Sequence, residues 1–474
     1  VKPPARKYLF VDDRWIAHTH AVHRSVGKPW KYPGNPLIVA DRPWEGGLKL
    51  YGTVLRDNGR LRMWYQMVNF AERDLRFATG VGYAESRDGL KWTKPAKGIV
   101  HPVHGRTNLL MTSHGRSHLC SPSVVRDDTD PDPQRRYKLI FFDAMSADDL
   151  ATLGSPFPVS RTVPGWRGVE GEGMFVCTSR DGLRWSRPAQ PAFAGPNDVA
   201  SVSQLSDGRL YAAYKTSLRH DRHFRVIEGA ESWDGLHWQS HGPVLEPDWH
   251  DPHGTEFYGM SPFEYHDNLL GLICVYQNSP DDKSLDIQLA TSHDGATWNR
   301  AADRAVFLPR GGRGEWDAGG LYVASTPVLP EPGTTDPILL YYSAISARHD
   351  DMRYKEWSVG VAALRQDGWA SLDTGYFVGE VLTHPVLATT NRLYINADCR
   401  HGWLRVHLMD AESAQVLASS QTLKETDVVS RQLIWKQKKA FAGKLVRLVV
   451  EMRRASFYSF WFESSGDRTT ASAT

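Results

Sequence analysis

Apolar positions along this chain gather in short runs that end in polar turns of one repeated design. The runs Gly82-Tyr83-Ala84, Phe175-Val176-Cys177, Val226-Ile227-Glu228 and Ile287-Gln288-Leu289 each lead into a Ser-x-Asp-Gly-x-x-Trp segment. These segments span Ser86 to Trp92, Ser179 to Trp185, Ser232 to Trp238 and Ser292 to Trp298. A degenerate fifth copy, Leu364-Arg365-Gln366-Asp367-Gly368-Trp369, follows Val359-Gly360-Val361. The pattern predicts tight hairpin ends. The Asp carboxylate accepts from backbone amides two residues on, and the Gly takes a positive φ without steric cost. The Trp then re-enters the sheet and can seal one repeat against the next.

A second pattern runs out of phase with the first: a strand, a polar turn, and a strand ending in aromatics. Its copies start at Thr53, Ser123, Ser201, Ser261 and Thr326 and close on Met63-Trp64-Tyr65, Ile140-Phe141-Phe142, Tyr211-Ala212-Ala213-Tyr214, Cys274-Val275-Tyr276 and Leu340-Tyr341-Tyr342. Each interval holds both hairpins, hence four strands. Five such units predict an all-β fold, a five-bladed β-propeller over 1–372. After Trp369 the pattern changes. Alternating runs such as Leu404-Arg405-Val406-His407-Leu408 and Leu445-Val446-Arg447-Leu448 predict a C-terminal β-sandwich over 379–464, with a disordered tail at 465–474. The first thirty residues read as strand pieces that close the ring with the last repeat, and His18, His20 and His23 mark one face of a strand. A Gly-, Pro- and Ser-rich insertion from about Ala144 to Glu172 reads as a surface loop that shapes a site.

Composition narrows the classes. The net charge is +2 and no basic block is present, which argues against a nucleic-acid partner. No apolar run is long enough to cross a membrane. The four cysteines are widely spaced, without zinc-type spacing, and a disulfide framework is not expected. The chain begins at Val1. It is expected to be secreted or periplasmic, with a leader peptide removed.

The turn repeats, the paired-aromatic strands and the ending Leu364 to Leu372 resemble those of five-bladed glycoside hydrolases of families 32 and 43. The C-terminal segment resembles the sandwich appended to family 32 enzymes. The resemblance implies a glycosidase acting on an oligo- or polysaccharide, with paired carboxyl groups as acid and base or nucleophile in a central funnel. It implies no cofactor; an ion on the ring axis would be structural. Innermost strands begin near that axis, so the acids beside them are the candidates: Glu45, Asp198, Glu256 and Asp317. The general acid is expected to be Glu256, which stands among Thr, Phe, Tyr and Gly where burial would favour that role, or Asp198, which lies where the resembled families keep their acid Glu. Glu45 and Asp317 are left as base, nucleophile or orienting group. Blade two starts at His118-Leu119-Cys120-Ser121 and carries no acid, a departure from both families. Substrate contacts are assigned to Trp44, Lys49, Tyr51, His118, Arg161, His253, Tyr258 and Trp316, with Trp249 completing a ring of indoles at the mouth. Two other classes fit the same residues. One is a non-catalytic carbohydrate-binding propeller. The other is a metal-dependent polysaccharide-cleaving enzyme using His118, His250 and His253.

Overall fold

The repeated turns do what their residues allow. In the computed structural model, which describes residues 6–157, 168–194, 198–219, 223–351 and 356–463, the four full copies fold alike. Ser86 Oγ accepts from Gly89 N at 2.8 Å, and Asp88 Oδ1 accepts from Leu90 N and Lys91 N at 2.9 and 2.7 Å. The other three copies repeat these bonds. Gly89, Gly182, Gly235 and Gly295 all have φ between +71° and +78°, where a Cβ would be strained.

Each turn is gripped by the preceding sheet. Trp64 Nε1 donates to Gly182 O at 2.8 Å, Arg135 donates to Asp234 O at 2.9 Å, and the Tyr211 hydroxyl donates to Gly295 O. The Tyr341 hydroxyl donates to Gly89 O at 2.7 Å, which ties the last sheet to the first. The aromatics that end the second pattern are therefore clasps between neighbours.

Among the described residues five antiparallel groups of strands result, the fourth and fifth joined by one parallel pairing of Leu285 with Gly320. The first is Gly47–Asp57, Arg60–Val68, Thr79–Ser86 and Leu109–Thr112. The second is Cys120–Arg126, Tyr137–Ala144 and Glu172–Ser179, with Phe193 and Ser186 bridged along its edge. The third is Ala200–Gln204, Leu210–Arg219, His223–Ser232 and Gln239–Leu245. The fourth is Thr255–Tyr265, Asn268–Gln277 and Leu285–Ser292, edged by Trp298–Arg300 and Val306–Leu308. The fifth is Gly320–Val323, Ile338–Ile345 and Ser358–Leu364, closed by Trp30–Lys31 from the N-terminal region. An apolar core fills each gap between neighbouring sheets, including the gap between fifth and first, where Tyr341, Val359 and Val361 meet Leu48, Leu50 and Met63. The hydroxyls that begin the second pattern knit the inner strands: Thr53 Oγ1 lies 2.5 Å from Ser325 Oγ and accepts from Val124 N at 2.8 Å, and Ser123 Oγ accepts from Val202 N at 3.3 Å. Replacing Tyr341 by Phe removes one of the bonds that tie the last sheet to the first. Urea denaturation should show a loss of about 1 kcal/mol, since Gly89 O keeps its bond from Trp92 Nε1.

Two further sheets face each other at the C-terminal end. One runs His23–Val26, Ala370–Asp373, Ser456–Phe462, Leu393–Asp398 and Asp427–Gln432, with Lys7–Leu9 beside Ser456–Phe462. The other runs Ile16–His20, Gly379–Thr383, Leu445–Arg453, Trp403–Asp410, Val416–Ser420 and Trp435–Lys438. Alternation decides which side is buried: Val446, Leu448, Val450 and Met452 point inward from one strand. The strands between Lys7 and Val26 thus pair with the sandwich, and of the described residues among the first thirty only Trp30, with its neighbour Lys31, pairs with the last sheet of the ring. The insertion carries a short helix, Ala147–Leu153, capped by Ser146 and Gly154, where a loop was expected. Residues 464–474 lie outside the described residues.

The degenerate fifth turn has another task. Asp367 is buried at the junction of ring and sandwich. It accepts from Lys7 Nζ at 2.9 Å, Ser459 Oγ at 2.6 Å and the Tyr265 hydroxyl at 2.8 Å. Trp369, fully buried, packs on Phe263 and Phe307 beside it.

Candidate functional site

All five sheets send side chains to one place near the axis. From the first come Lys49 and Tyr51, and from the approach to the second come His118 and Cys120. Asp198, Lys215 and Arg225 come from the third, and Glu256, Tyr258 and Tyr276 from the fourth. The fifth adds Tyr322, His349 and Trp357. Lys215 Nζ pairs with Asp198 Oδ1 at 2.6 Å and lies 3.9 Å from the centre of the Tyr258 ring. The Arg225 guanidinium holds Glu256 and covers the Tyr258 and Tyr276 rings. Asn278 Nδ2 donates to Glu256 Oε1 at 2.7 Å, and Lys283 Nζ donates to Asn278 Oδ1. Lys49 Nζ sits 4.5 Å above Trp357, whose ring packs on Tyr322 at 4.6 Å. Tyr51 meets Tyr322 edge-on at 5.2 Å.

Local backbone explains who points inward. In Thr255–Tyr265 a register shift between Phe257 and Gly259 interrupts the alternation, leaving Phe257 in the core between sheets three and four and Tyr258 at the axis. Lys215 and Arg225 lie on adjacent strands, but both side chains reach past the inner strand to the same tyrosine.

The two carboxyl groups differ in exposure and in partners. Burial pushes Asp198 up, but Lys215, Lys49 and Arg225 outweigh it, and its carboxyl ends below the usual range. It is thus an ionised group, with a side chain 29 % exposed, suited to act as base or nucleophile rather than as acid. Glu256 is nearly closed off at 7 %. Sequence reasoning imagined it buried alone; Arg225 and Asn278 are its partners. Burial lowers Lys215 and Lys49, and Asp198 opposes that in both. His349 drops to about 3 through burial and then the three nearby cations, so it is neutral. Its Nδ1 lies 3.1 Å from the Tyr322 hydroxyl. His118 is also lowered, by burial and then Lys49.

Other expected site residues lie elsewhere. Glu45 is held by Lys94 at 2.6 Å and the Tyr65 hydroxyl at 2.7 Å inside the first sheet, with its side chain wholly buried. Asp317 is held by Lys31 at 2.6 Å and lies against the Tyr342 hydroxyl at 3.2 Å in the fifth. Both acids neutralise lysines distant in sequence, and neither shares a partner with the funnel. Trp44 donates to Asn108 at 3.0 Å and Trp316 stacks on Tyr342, so neither forms part of an open ring of indoles. Trp249 alone of the three is exposed, at 86 %. It borders a cavity of about 370 Å³ with Phe224 and His253, next to the strand end that carries Glu256. Asp251 is engaged by Arg300 and Arg304 at 2.6 and 3.2 Å. Among the described residues no three His, Cys, Asp or Glu gather as a metal site. Arg161 lies outside the described residues. The four cysteines are buried free thiols. No helix among the described residues is long and apolar enough to cross a membrane.

No protein-family model matches the chain, and no curated protein matches it. Solved structures do. A glycoside hydrolase is 13% identical, with 71% of this chain and 92% of that chain covered and a TM-score of 0.49. A thermostable family-43 glycoside hydrolase is 14% identical, with 73% and 93% covered and a TM-score of 0.42. An N-acetylgalactosamine deacetylase from F. plautii is 16% identical, with 74% and 97% covered and a TM-score of 0.45. At these values the function has to be read from the site itself.

Proposed function

We propose that this protein is a glycoside hydrolase working in the axial funnel, with Asp198 and Glu256 as its two carboxyl groups. The carrying observation is that these two acids, from different sheets, are joined through Arg225, Lys215 and Tyr258, whereas Glu45 and Asp317 are locked away. Asp198 is the ionised partner. It either draws a proton from the attacking water or itself attacks the anomeric carbon. Glu256 is the donor: its proton passes to the glycosidic oxygen as the bond to the anomeric carbon breaks. A carboxyl cannot donate a proton and hold a guanidinium in contact at once, so Arg225 turns from Glu256 toward the substrate in this reading.

The test is leaving-group dependence. Glu256→Gln should cost about a hundredfold in kcat on alkyl glycosides and little on dinitrophenyl glycosides, whose leaving groups need no proton. Equal loss on both would remove Glu256 from the donor role.

A binding propeller without catalysis is favoured by one observation: among the described residues, blade two's acid nearest the funnel, Asp143, is held by Arg187 at 2.9 Å, and His118 and Cys120 are what that blade brings there. Glycans bound without any new reducing end would support it.

A further inference from the structure

We infer that His349 carries its proton on Nε2 and gives that N–H to an oxygen of the sugar unit in the funnel, with Tyr322 as the positioning residue that fixes the tautomer. The inference rests on reading the funnel as the glycoside-cleaving site. A neutral imidazole has one nitrogen that donates and one that accepts. The Tyr322 hydroxyl is fully buried, and among the described residues its hydrogen-bond partner is His349 Nδ1, at 3.1 Å. Burial holds that phenol well above its ordinary range, so it keeps its proton. Were Nδ1 to donate instead, the phenol hydrogen would be left buried without an acceptor, which is costly. The hydroxyl therefore donates, Nδ1 accepts, and the ring hydrogen sits on Nε2.

The ring is held on several sides. His349 N donates to Lys283 O at 3.0 Å, and Arg348 donates to Pro280 O at 2.9 Å, which straps this loop of the fifth sheet to the fourth. The imidazole meets Tyr258 edge-on at 4.7 Å and Tyr276 edge-on at 5.0 Å. Its Nε2 has no hydrogen bond among the described residues, yet it is not sealed in, unlike the unpartnered His101 Nε2 and His114 Nδ1. Tyr258 is also the ring that Lys215 and Arg225 cover, and those two cations hold Asp198 and Glu256. A donor is thus fixed beside the ring that links both carboxyl groups. An N–H that only donates reads an acceptor, a hydroxyl or ring oxygen of the sugar, and orients the unit whose bond breaks.

The experiment has two arms, both on the full chain. In the first, two-bond proton–nitrogen correlations on protein labelled with nitrogen-15 histidine report where the proton sits, with His349→Phe assigning the signal. His349 should show a protonated Nε2 and a bare Nδ1. The pattern should hold from about pH 8 to about pH 5, because burial, Lys49, Lys215 and Arg225 oppose a charge on the ring and outweigh Asp198. Tyr322→Phe should give a mixture of the two tautomers. In the second arm, kcat/KM is measured on the best-cleaved member of a panel of acidic and neutral oligosaccharides. His349→Phe should lower it about tenfold, and His349→Gln, whose amide offers an N–H at a similar reach, should keep most of it. Thermal melting checks that every variant folds. A proton on Nδ1, a mixture in wild type, undiminished turnover in His349→Phe, or equal losses in the Phe and Gln variants would overturn the inference. If no glycan is cleaved but calorimetry shows binding weakened in His349→Phe and kept in His349→Gln, hydrolysis is refuted and the donor stands. Cleavage that needs Asp198 and Glu256 but not His349 does the reverse. A panel of which no member is bound refutes both.

Discussion

Replacing Asp198 by Asn should lower kcat/KM about a thousandfold on every glycoside the protein cleaves, with good and poor leaving groups affected alike. Amide and carboxylate have nearly the same shape, so the loss reports charge and basicity, not packing. Asp198 is ion-paired at 2.6 Å to a lysine that is almost wholly buried, and its carboxyl lies below the usual range. The sign for pH follows. Activity requires the ionised form, so the rate should fall only as pH drops through that depressed value, on the acid side of an ordinary aspartate. Lys215→Met removes the main charge that offsets burial, and the acid limb should move to higher pH. Lys215 is a positioning residue in this reading, and the moved limb is a signature that a merely structural lysine would not give. A pH–rate profile of wild type and the two variants checks all three statements.

The second large effect concerns stability. Asp367→Ala should destabilise the fold by about 4 kcal/mol, because it strands Lys7 and the Tyr265 and Ser459 hydroxyls at a buried junction. Burial raises Asp367, but Lys7, Ser459 and His266 together bring it below the ordinary value. A carboxyl lowered on folding contributes its full stability above the unfolded pKa, and that contribution is lost as pH falls through the folded one. Wild type should therefore lose stability on acidification through this window, and the variant should lose less. Urea midpoints measured from neutral to acid pH give both slopes.

The ring was legible because its signals are local. A Ser, an Asp and a Gly within four residues dictate a turn, and paired aromatics close a strand, so the repeat shows in the sequence. The clasps explain why aromatics recur there: Trp64, Tyr211 and Tyr341 each reach the next turn. The junction was not legible. Asp367 looks like a worn copy of the turn, and its partners Lys7, Tyr265 and Ser459 come from across the chain. The strands between Lys7 and Val26 were misplaced for the same reason, since three to five residues carry no mark of the sheet they join.

The site was half legible. Position relative to the inner strands picked out Asp198, Glu256, Lys49, Tyr51, His118 and Tyr258, which the structure gathers near the axis. It also proposed Glu45 and Asp317, because Lys94 and Lys31, which neutralise them, lie 49 and 286 positions away. Arg225 and His349 were missed. Arg225 sits on the third strand of its sheet and reaches inward by its length, and His349 follows the strand Ile338–Ile345 in a loop with no motif. Lys215 was legible only as one of several Lys and Arg that could meet an anionic sugar, and its place after the apolar run Tyr211 to Tyr214 is what buries it.

Whether Asp198 and Glu256 form a working pair is tested most directly by reducing-end release from a broad panel of acidic and neutral oligosaccharides, with wild type, Asp198→Asn and Glu256→Gln in parallel. Release by wild type from at least one glycan, lost in Asp198→Asn and sharply reduced in Glu256→Gln, is the predicted result. Release that persists undiminished in both variants, or no release from any glycan the funnel binds, would contradict it.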